Sequence, residues 1–499
     1  MHKILSAKQV KELDEYTILH EPISSIDLME RACRAFESWF TERFDITYRV
    51  GIVCGTGNNG GDGLGIARLL YAAGYAVSVW IVRGNVTESD DFKINLGRLK
   101  NKIVVSEIQS KPIQELFLHC DILTDAIFGT GLSRAPEGLY AETIECINQT
   151  PLLKIAVDIP SGLMMDKTTS GSIIKAHHTV SFQMPKLVFF FPQSNPFVGN
   201  WSIVPMGLNK DIIKRTSTPY YYLSLKDIKR IVKPRFTFDH KGRNGHALII
   251  AGSLGKMGAA VLSSRAALRT GLGLLTVHVP SSGNVVMQTT VPEAMTSIDK
   301  HVDFLTHVDR LDAYTTIGIG PGLGQSQETI KAFASILKQF RLPMVIDADA
   351  LNIVSANNEL FKLIPEGSIL TPHPKEFERL VGSWNNDFER LEKQQQLAIQ
   401  LQCVIILKGA YSSIASPEGN VYFNSTGNPG MATGGSGDVL TGILSSLLAQ
   451  HYTPLEAAKL GVYLHGLSGD IASYEKGMNS LIASDLVEFL PFAFKKITT

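Results

Sequence analysis

The strongest constraint on the fold of this chain is a glycine-rich stretch that runs directly into a helical pattern. Residues 427–442 read GNPGMATGGSGDVLTG, with six glycines in sixteen positions, and the apolar spacing of a helix covers Val439–Leu448. Glycine lets consecutive backbone N–H groups turn inward around an anion, and a helix N-terminus adds its positive end. Asp438 then lies where a base could take the proton of a hydroxyl that attacks a phosphoryl group. A tight strand-to-helix turn is the alternative, but the pattern favours anion binding.

Length and charge narrow the class of protein. A chain of 499 residues is too long for one hydrophobic core and should form two domains. Lys plus Arg equals Asp plus Glu at 47 each, which argues against nucleic acid or a membrane surface as a partner. Five scattered cysteines without a CxxC pair indicate reduced thiols. Without a signal peptide or a run of transmembrane length, the chain is predicted to be soluble and cytoplasmic.

The first half contains a second glycine-rich loop between a strand and a helix. Arg49–Cys54 is a short β-rich run, GTGNNGGDGLG follows it, and a helical pattern covers Ile66–Ala73. This order is typical of a phosphate-binding first βα turn, although it is not the GxGxxG fingerprint of a dinucleotide-binding dehydrogenase. Asn-Gly and Asp-Gly pairs are also ordinary turn chemistry, so the loop alone leaves both interpretations open.

Carboxylates follow two later strands of this half. Strands are predicted at 76–82, 122–127 and 154–159, with Asp125 and Asp158 near the ends of the last two. The carboxyl ends of parallel strands share one edge of a sheet, so these residues and the glycine-rich loop should meet in one crevice. Helices are predicted at 6–18 and 26–40, capped by Ser6 and Ser25, and the apolar run Leu187–Pro192 is predicted to be a buried strand.

Three segments of this half, GNNGGDGLGIARLL, DAIFGTGLSRAPEG and VDIPSGL, occur in an order that resembles the NAD(P)H-hydrate epimerase family, the YjeF N-terminal domain. The resemblance implies a domain at 1–215 with a Rossmann-like three-layer sandwich. It implies that hydrated nicotinamide nucleotide binds to Asn58, Asn59, Gly60, Gly61, Asp62, Gly129, Thr130, Gly131, Leu132, Ser133, Arg134, Ala135 and Asp158. It also implies potassium ligands at Asn59, Asp125 and Ser161, all oxygen donors. Asp158 is the candidate catalytic group of this domain.

The second half repeats the alternation of strands, loops and helices. Periodicity is lost at 216–222, which places a domain boundary near 215–225, and strands then follow at 245–252, 274–279, 316–319, 344–346 and 369–370. This alternation predicts a second doubly wound α/β domain. Its loops hold His373, which follows one proline and precedes another, and Lys408, which ends the strand VIILK. A loop-packing histidine and a surface lysine are the alternatives to ligand contacts.

The motifs AGSLGKMGAA, GIGPGLG, DADALN, TPHPKEFERL, LKGAYSSIA and GNPGMATGGSGDVLTG together resemble the ADP/ATP-dependent NAD(P)H-hydrate dehydratase family, the YjeF C-terminal domain. The resemblance covers 225–495 and implies a ribokinase-like fold. It implies a hydrate pocket of Ala260, Gly322, His373 and Asp438, and a nucleotide site of Lys408, Gly409, Ala410, Tyr411, Ser412, Asn428, Gly434, Gly435, Ser436 and Gly437. Two positions depart from the family pattern: Ser412 stands where threonine is typical, and Lys375 where glycine is typical.

The two resemblances imply a bifunctional enzyme of nicotinamide nucleotide repair. One domain would interconvert the R and S forms of hydrated NADH or NADPH. The other would use ADP and Mg²⁺ to dehydrate the S form, releasing AMP and phosphate, with Asp438 as the base. The cofactors implied are K⁺ for the first domain and Mg²⁺ for the second, and the family resemblance implies a homo-oligomer. The alternative is a ribokinase-like small-molecule kinase whose N-terminal module binds a nucleotide without catalysis.

Overall fold

A computed structural model describes residues 1–84, 87–99 and 102–498 of the chain. These residues form two compact units. The first unit is His2–Thr218 with Asn386–Phe388, and the second is Pro219–Asn385 and Glu389–Thr499 with Met1. No helix in the described ranges is both long and apolar enough to cross a bilayer.

The first unit is built around a parallel sheet. The strands of this sheet are β2 Arg49–Cys54, β3 Ala76–Val82, β4 Val105–Ile108, β5 Ile122–Ala126, β6 Leu153–Val157, β7 His178–Phe182 and β8 Asn200–Val204, and the short strand β1, His2–Lys3, lies outside it. Its helices are α1 Ala7–His20, α2 Ser25–Thr41, α3 Asn58–Ala72, α4 Asp90–Leu99, α5 Leu139–Gln149, α6 Asn195–Val198 and α7 Lys210–Arg215. The sheet order is β4-β3-β2-β5-β6-β7-β8, and each neighbouring pair is parallel.

Alternate residues of the central strands face opposite layers of helices. Ile52 of β2 belongs to a buried cluster with α2 and α3, which includes Phe36 and Leu64. The next residue, Val53, belongs to a second cluster with Ile144 of α5. Because strand side chains alternate between the two faces of a sheet, each face needs its own cover. The expected three-layer sandwich is therefore confirmed.

The second unit has a larger sheet of the same α/β kind. Its strands are β9 Tyr220–Tyr222, β10 His246–Ile250, β11 Leu274–Val279, β12 Met295–Ile298, β13 Thr316–Ile319, β14 Val345–Ile346, β15 Ile369–Leu370, β16 Val404–Leu407, β17 Ser413–Ala415 and β18 Val421–Phe423. Their order is β9-β18-β17-β16-β15-β14-β13-β10-β11-β12. Strand β17 runs antiparallel to β16 and β18, and the other pairs are parallel.

Helices join the parallel strands and cover this sheet. They are α8 Leu225–Lys229, α9 Met257–Arg269, α10 Asn284–Thr290, α11 Gln327–Gln339, α12 Ala348–Ala356, α13 Pro374–Val381, α14 Asp387–Leu401, α15 Ser436–Ala449, α16 Pro454–Lys476 and α17 Ala483–Thr498. Apolar residues of α15, α16 and α17 form one buried cluster with Val345, Ile369 and Val404 of the sheet. The predicted fold class of two doubly wound α/β units is confirmed.

Local predictions differ from the structure at several points. The run Leu187–Pro192 is not a strand, because Leu187–Phe190 forms a buried 3-10 helix in which Phe189 N–H donates to the carbonyl of Lys186. Ser24, rather than Ser25, caps α2 by accepting from the amide of Asp27. The five cysteines are free and buried, as expected of reduced thiols.

Candidate active sites

A cavity of about 1130 Å³ opens in the first unit beside the ends of β2, β5 and β6. The proposed substrate residues that line it are Asn58, Asn59, Asp62, Gly129, Thr130, Gly131, Leu132, Ser133, Arg134, Ala135 and Asp158. Gly60 and Gly61 are buried in the first turn of α3. A Cβ at Gly60 would lie 1.9 Å from the carbonyl oxygen of Gly55, so only glycine permits this close approach of the backbone.

The glycine-rich loop is itself the start of a helix. Helix α3 begins at Asn58, eight residues before the predicted pattern at Ile66, and Gly57 caps it without a side-chain hydrogen bond. The first N–H groups of a helix lack partners within the helix, and the helix dipole makes that end positive. Asn58 and Asn59 therefore place the positive end of α3 in the wall of the cavity, where it suits an anionic group of a ligand.

Asp158 reaches this cavity in an ion pair with a fully buried lysine. Its carboxylate oxygen Oδ1 lies 2.7 Å from Lys186 Nζ and also accepts from the amide of Phe182 at 2.9 Å. The Lys186 side chain has no exposure, and that of Asp158 is 14% exposed. Asp158 has a φ of 65°, a left-handed conformation that is rare outside glycine. These contacts fix the carboxylate at the cavity wall.

The three proposed potassium ligands lie at or behind the cavity wall. Asp125 accepts from the amide and the hydroxyl of Ser161 at 2.8 and 2.5 Å, and both residues are buried. Burial raises the pKa of Asp125 to about 6, although the bonds from Ser161 oppose the shift. The buried amide nitrogen of Asn59 finds no hydrogen-bond partner in the described part of the chain. Since a half-turn exchanges an amide's nitrogen and oxygen, this oxygen-rich set fits a hard cation.

Several charged residues of this cavity were not predicted from the sequence, and two of them matter most for its chemistry. Asp14 of α1 and Lys186 both line it. Asp14 stands in an ordinary amphipathic helix, where a carboxylate predicts only a solvated face. Lys186 directly precedes the apolar run at 187, and its position there was the one signal of a buried lysine. Neither residue belongs to a glycine-rich motif.

The second unit has a cleft of about 430 Å³ at the start of α15. Its walls are Gly255, Lys256, Gly258, Ala259, Gly322, Ala348, Asp349, Asn352, Glu376 and Asp438. Helix α15 begins at Ser436, so Gly437 and Asp438 belong to its first turn. Gly435 caps the helix at a φ of 89°, where a Cβ would lie 2.6 Å from Leu262 Cδ1. Ala260, proposed for the hydrate pocket, is fully buried, while its neighbour Ala259 faces the cleft.

Lys408 joins the end of β16 to this helix start. Its Nζ lies 2.8 Å from Asp347 Oδ1 and would lie 3.4 Å from a Cβ at Gly437. The other oxygen of Asp347 accepts from the Thr441 hydroxyl at 2.8 Å. The Lys408 side chain is 22% exposed, whereas that of Asp347 is 2% exposed. An ammonium group is thus held open beside the amides of a helix N-terminus, an arrangement suited to phosphate.

Asp438 is the least paired carboxylate of this cluster. Burial raises its pKa to about 6, with the charges of Asp347 and Asp349 acting in the same direction and Lys408 in the opposite one. No hydrogen bond or ion pair to its carboxylate occurs within the described ranges. At neutral pH the group is ionised and free to accept a proton.

His373 caps α13 with its ring. Its Nδ1 accepts from the amides of Lys375 and Glu376 at 3.1 and 3.4 Å, and its Nε2 lies 3.3 Å from Glu376 Oε1. Burial lowers the pKa of His373. The side chain of Lys375 is exposed in the first turn of α13, a position that does not require glycine.

The remaining proposed nucleotide residues surround the same helix start. Gly409, Ala410 and Gly434 are exposed, and the Ser412 hydroxyl accepts from the amide of Gly409 at 3.2 Å. The Asn428 side-chain amide donates to Asp470 Oδ1 at 3.0 Å. Ser436 is held by His465, whose Nε2 donates to the Ser436 carbonyl at 2.9 Å, and burial lowers the pKa of His465 to about 4. Tyr411 is half-buried in the same loop.

Comparisons with known proteins agree with this division. The profile of the family described as NAD(P)H-hydrate dehydratase matches residues 247–491, and that of the YjeF-related protein N-terminus matches residues 25–188. The bifunctional NAD(P)H-hydrate repair enzyme Nnr of Moorella thermoacetica is 35% identical over 516 residues, covering 99% of this chain and 97% of that one. The enzyme of the same name from Escherichia coli is 34% identical, covering 88% of this chain and 84% of that one.

A solved structure shows the fold of the second unit. A ribokinase-like superfamily protein from Enterococcus faecalis is 28% identical, with a TM-score of 0.51, and the match covers 57% of this chain and 99% of that one. The expected ribokinase-like fold is confirmed. Matches over nearly the full length of the curated relatives, with both halves represented, decide the family. The chain belongs to the family of bifunctional NAD(P)H-hydrate repair enzymes.

Proposed function

We propose that residues 1–215 interconvert the R and S forms of hydrated NADH or NADPH, and that residues 225–495 dehydrate the S form with ADP. The observation that carries this proposal is that each unit has its own cavity beside a glycine-rich helix start. A lysine–carboxylate pair accompanies the site in each unit: Asp158–Lys186 lines the N-terminal cavity, and Asp347–Lys408 lies beside the start of α15. A chain of this family with two such cavities can return both epimers to the reduced nucleotide.

In the dehydratase site, the obstacle is the leaving group, because hydroxide departs poorly at neutral pH. Phosphorylation of the C6 hydroxyl by ADP converts it into a phosphate ester and yields AMP. Asp438 accepts the hydroxyl proton, while Lys408 and the amides of 434–437 stabilise charge on the transferred phosphoryl. Departure of phosphate from C6 and loss of a proton from C5 to solvent then form the C5=C6 double bond and restore the dihydropyridine ring. The carboxylates of Asp349 and Glu376, which line the cleft beside Asp438, are oxygen donors of the kind that Mg²⁺ prefers, and the ion would neutralise phosphate oxygens.

The N-terminal cavity is suited to a reaction at C6 without phosphate transfer. Asp158, fixed by Lys186, presents a carboxylate at the wall, and the start of α3 suits the pyrophosphate of the nucleotide. Asn59, Asp125 and Ser161 would hold K⁺, which would offset the cost of the buried Asp125 charge and order the two loops.

Recovery of absorbance at the NADH band tests both activities together. Purified chain is mixed with a chemically prepared epimer mixture of NADH hydrate, Mg²⁺ and K⁺, with ADP and ATP in parallel. Full recovery is expected with ADP, accompanied by release of free phosphate, because the epimerase feeds the S form to the dehydratase. Recovery that stops partway would overturn the epimerase assignment. A stable phosphoester without recovered absorbance would instead support the small-molecule kinase alternative.

A further inference from the structure

Asp14 shares the N-terminal cavity with the Asp158–Lys186 pair. It lies on α1, its side chain is partly exposed, and it lines the cavity together with Asn58 and Asp62. It therefore reaches the proposed substrate from a different element than the strand-end loop that carries Asp158. The profile match of the N-terminal family begins only at residue 25, beyond α1.

The two carboxylates differ in their partners. Asp158 is paired with Lys186 at 2.7 Å and accepts a backbone hydrogen bond. Asp14 has no hydrogen bond or ion pair in the part of the chain that the structure describes. Among the carboxyl groups that line this cavity, a paired one and a lone one form the arrangement that separates an acid from a base.

The structure thus assigns a second catalytic group to the epimerase. We propose that Asp14 is the proton donor to the C6 hydroxyl of the hydrated nucleotide, and that Asp158 is the matching proton acceptor. This inference rests on the epimerase function proposed above and deepens it.

In the proposed step, water is lost from C6 and a second water adds to the opposite face of the ring. The C6–O bond breaks, its electron pair leaves with oxygen, and the proton of Asp14 completes a water molecule. Positive charge is then shared between C6 and the ring nitrogen. A solvent water forms the new C6–O bond on the opposite face and gives its proton to Asp158. Solvent returns that proton to Asp14, so no oxidant or other co-reactant is needed.

The charges around Asp14 support its protonated state. Burial, helped by the charges of Asp158 and Glu15 and opposed by that of Lys186, raises the pKa of Asp14 to about 7. Asp62 of α3 also faces Asp14, and burial together with Asp158, Asp14 and Asp91 raises the pKa of Asp62 well above its usual value. Asp14 thus carries a proton over much of the range below pH 7, whereas Asp158 remains paired with an ammonium group.

The test measures conversion of the R epimer to the S epimer by the full chain, with nucleotide and Mg²⁺ left out so that the dehydratase is silent. Pure R epimer is the unreacted nucleotide that remains after a dehydratase has consumed the S form of the mixture. Asp14→Asn should lower kcat by about 10²- to 10⁴-fold with little change in KM. The matched control is Glu12→Gln, on the same helix but exposed and outside the cavity, and it should react as wild type.

A pH profile separates a catalytic role from a structural one. The wild-type rate should fall as pH rises through about 7, where Asp14 loses its proton. The residual rate of Asp14→Asn should not show this decline. Asp14→Glu should keep part of the epimerisation rate, and the pH at which that rate declines should shift. This variant replaces Asp14→Asn in the test if Asp14→Asn does not fold. Dehydratase turnover of the same preparations, measured with ADP and the S epimer, reports an intact chain.

Three results would overturn the assignment. If kcat for epimerisation by Asp14→Asn lies within about threefold of the wild-type value, Asp14 takes no part in the step. If either variant keeps the wild-type decline of the rate at high pH, the role of Asp14 is structural. A wild-type chain that leaves the R epimer unchanged would overturn the epimerase function and this inference with it.

Discussion

The two units each hold a lysine–carboxylate ion pair near the candidate site, but opposite partners of the pair are buried. In the N-terminal unit the lysine is buried and the carboxylate is the more accessible partner. The side chain of Lys186 is 0% exposed, and that of Asp158 is 14% exposed. In the C-terminal unit the carboxylate is buried and the lysine is the more exposed partner, since the Asp347 side chain is 2% and that of Lys408 22% exposed. The partner left accessible decides the chemistry. A carboxylate backed by a buried cation handles protons, and an ammonium backed by a buried anion holds phosphate.

Each pair is accompanied by a carboxylate without a partner. Asp14 plays this part in the N-terminal cavity and Asp438 in the C-terminal cleft, and burial raises the pKa of each, to about 7 and about 6. Both values lie near neutrality, where a group can exchange protons at useful rates. The comparison predicts that the lone carboxylates govern turnover, with Asp158 as proton acceptor in the epimerase, whereas Lys186 governs stability and Lys408 governs binding.

The largest expected effect is that of Asp438→Asn. The variant keeps the shape of the α15 start but lacks the proton acceptor, so dehydratase kcat should fall by about 10²- to 10⁴-fold. ADP binding, measured by calorimetry, should stay within a few-fold of wild type, because the amides and Lys408 are unchanged. Conversion of the R to the S epimer by the same preparation is the control for folding. Normal dehydratase turnover would remove Asp438 from the reaction.

Asp158→Asn should give the largest loss of stability. It leaves the Lys186 ammonium buried without its counter-charge, which costs about 3–5 kcal/mol of unfolding free energy. Urea unfolding followed by tryptophan fluorescence reports mainly the first unit, which holds Trp39, Trp80 and Trp201.

Asp121→Asn is the matched control for this loss. Asp121 pairs with Arg49 in the same unit, but the pair is exposed and screened by solvent, so its loss should leave the free energy of unfolding nearly unchanged. Equal destabilisation by the two substitutions would contradict the contrast between a sealed and an exposed pair.

Lys408→Met tests the open lysine of the other pair. Loss of a charge-assisted contact with phosphate, worth about 1.5–3 kcal/mol, should raise the KM for ADP by about 10- to 100-fold. Steady-state dehydratase assays at several ADP concentrations measure this change. Lys375→Met is the control, because that lysine is exposed in the first turn of α13, away from the pair with Asp347 that holds Lys408 beside Gly437. An unchanged KM for ADP in Lys408→Met would mean that the lysine serves only to pair with Asp347.

Much of the fold was predictable, since each domain alternates short apolar runs with amphipathic helices. Strands Arg49–Cys54, Leu274–Val279 and Thr316–Ile319 were predicted to the residue. The starts of α3 and α15 were not, because their glycine-rich first turns look like loops and carry no apolar period. Those turns are helical because tertiary contacts and the following helix fix them, which overrides low local propensity.

The candidate sites were predictable only where they lie in motifs. Asp158 and Asp438 stand beside glycine-rich or Pro-Ser-Gly segments, so their surroundings mark them. Asp14 has no such mark, because its importance comes from the cavity that α1 happens to face. Asp347, although part of DADALN, was recognised only by its contact with Lys408, a relation across 61 residues that no local pattern encodes.

The pH dependence of the two activities sharpens the comparison further, because the signs are opposite. Asp438 must be ionised to accept a proton, so dehydratase kcat/KM should fall by about tenfold per unit as pH drops below about 6. Asp14 must be protonated to donate, so epimerisation should instead fall as pH rises through about 7. Lys408 lowers the pKa of Asp438, so in Lys408→Met the fall of dehydratase kcat/KM should begin at a higher pH. Both rates are measured across one buffer series. If the two activities decline in the same direction of pH, one of the lone carboxylates has been given the wrong role.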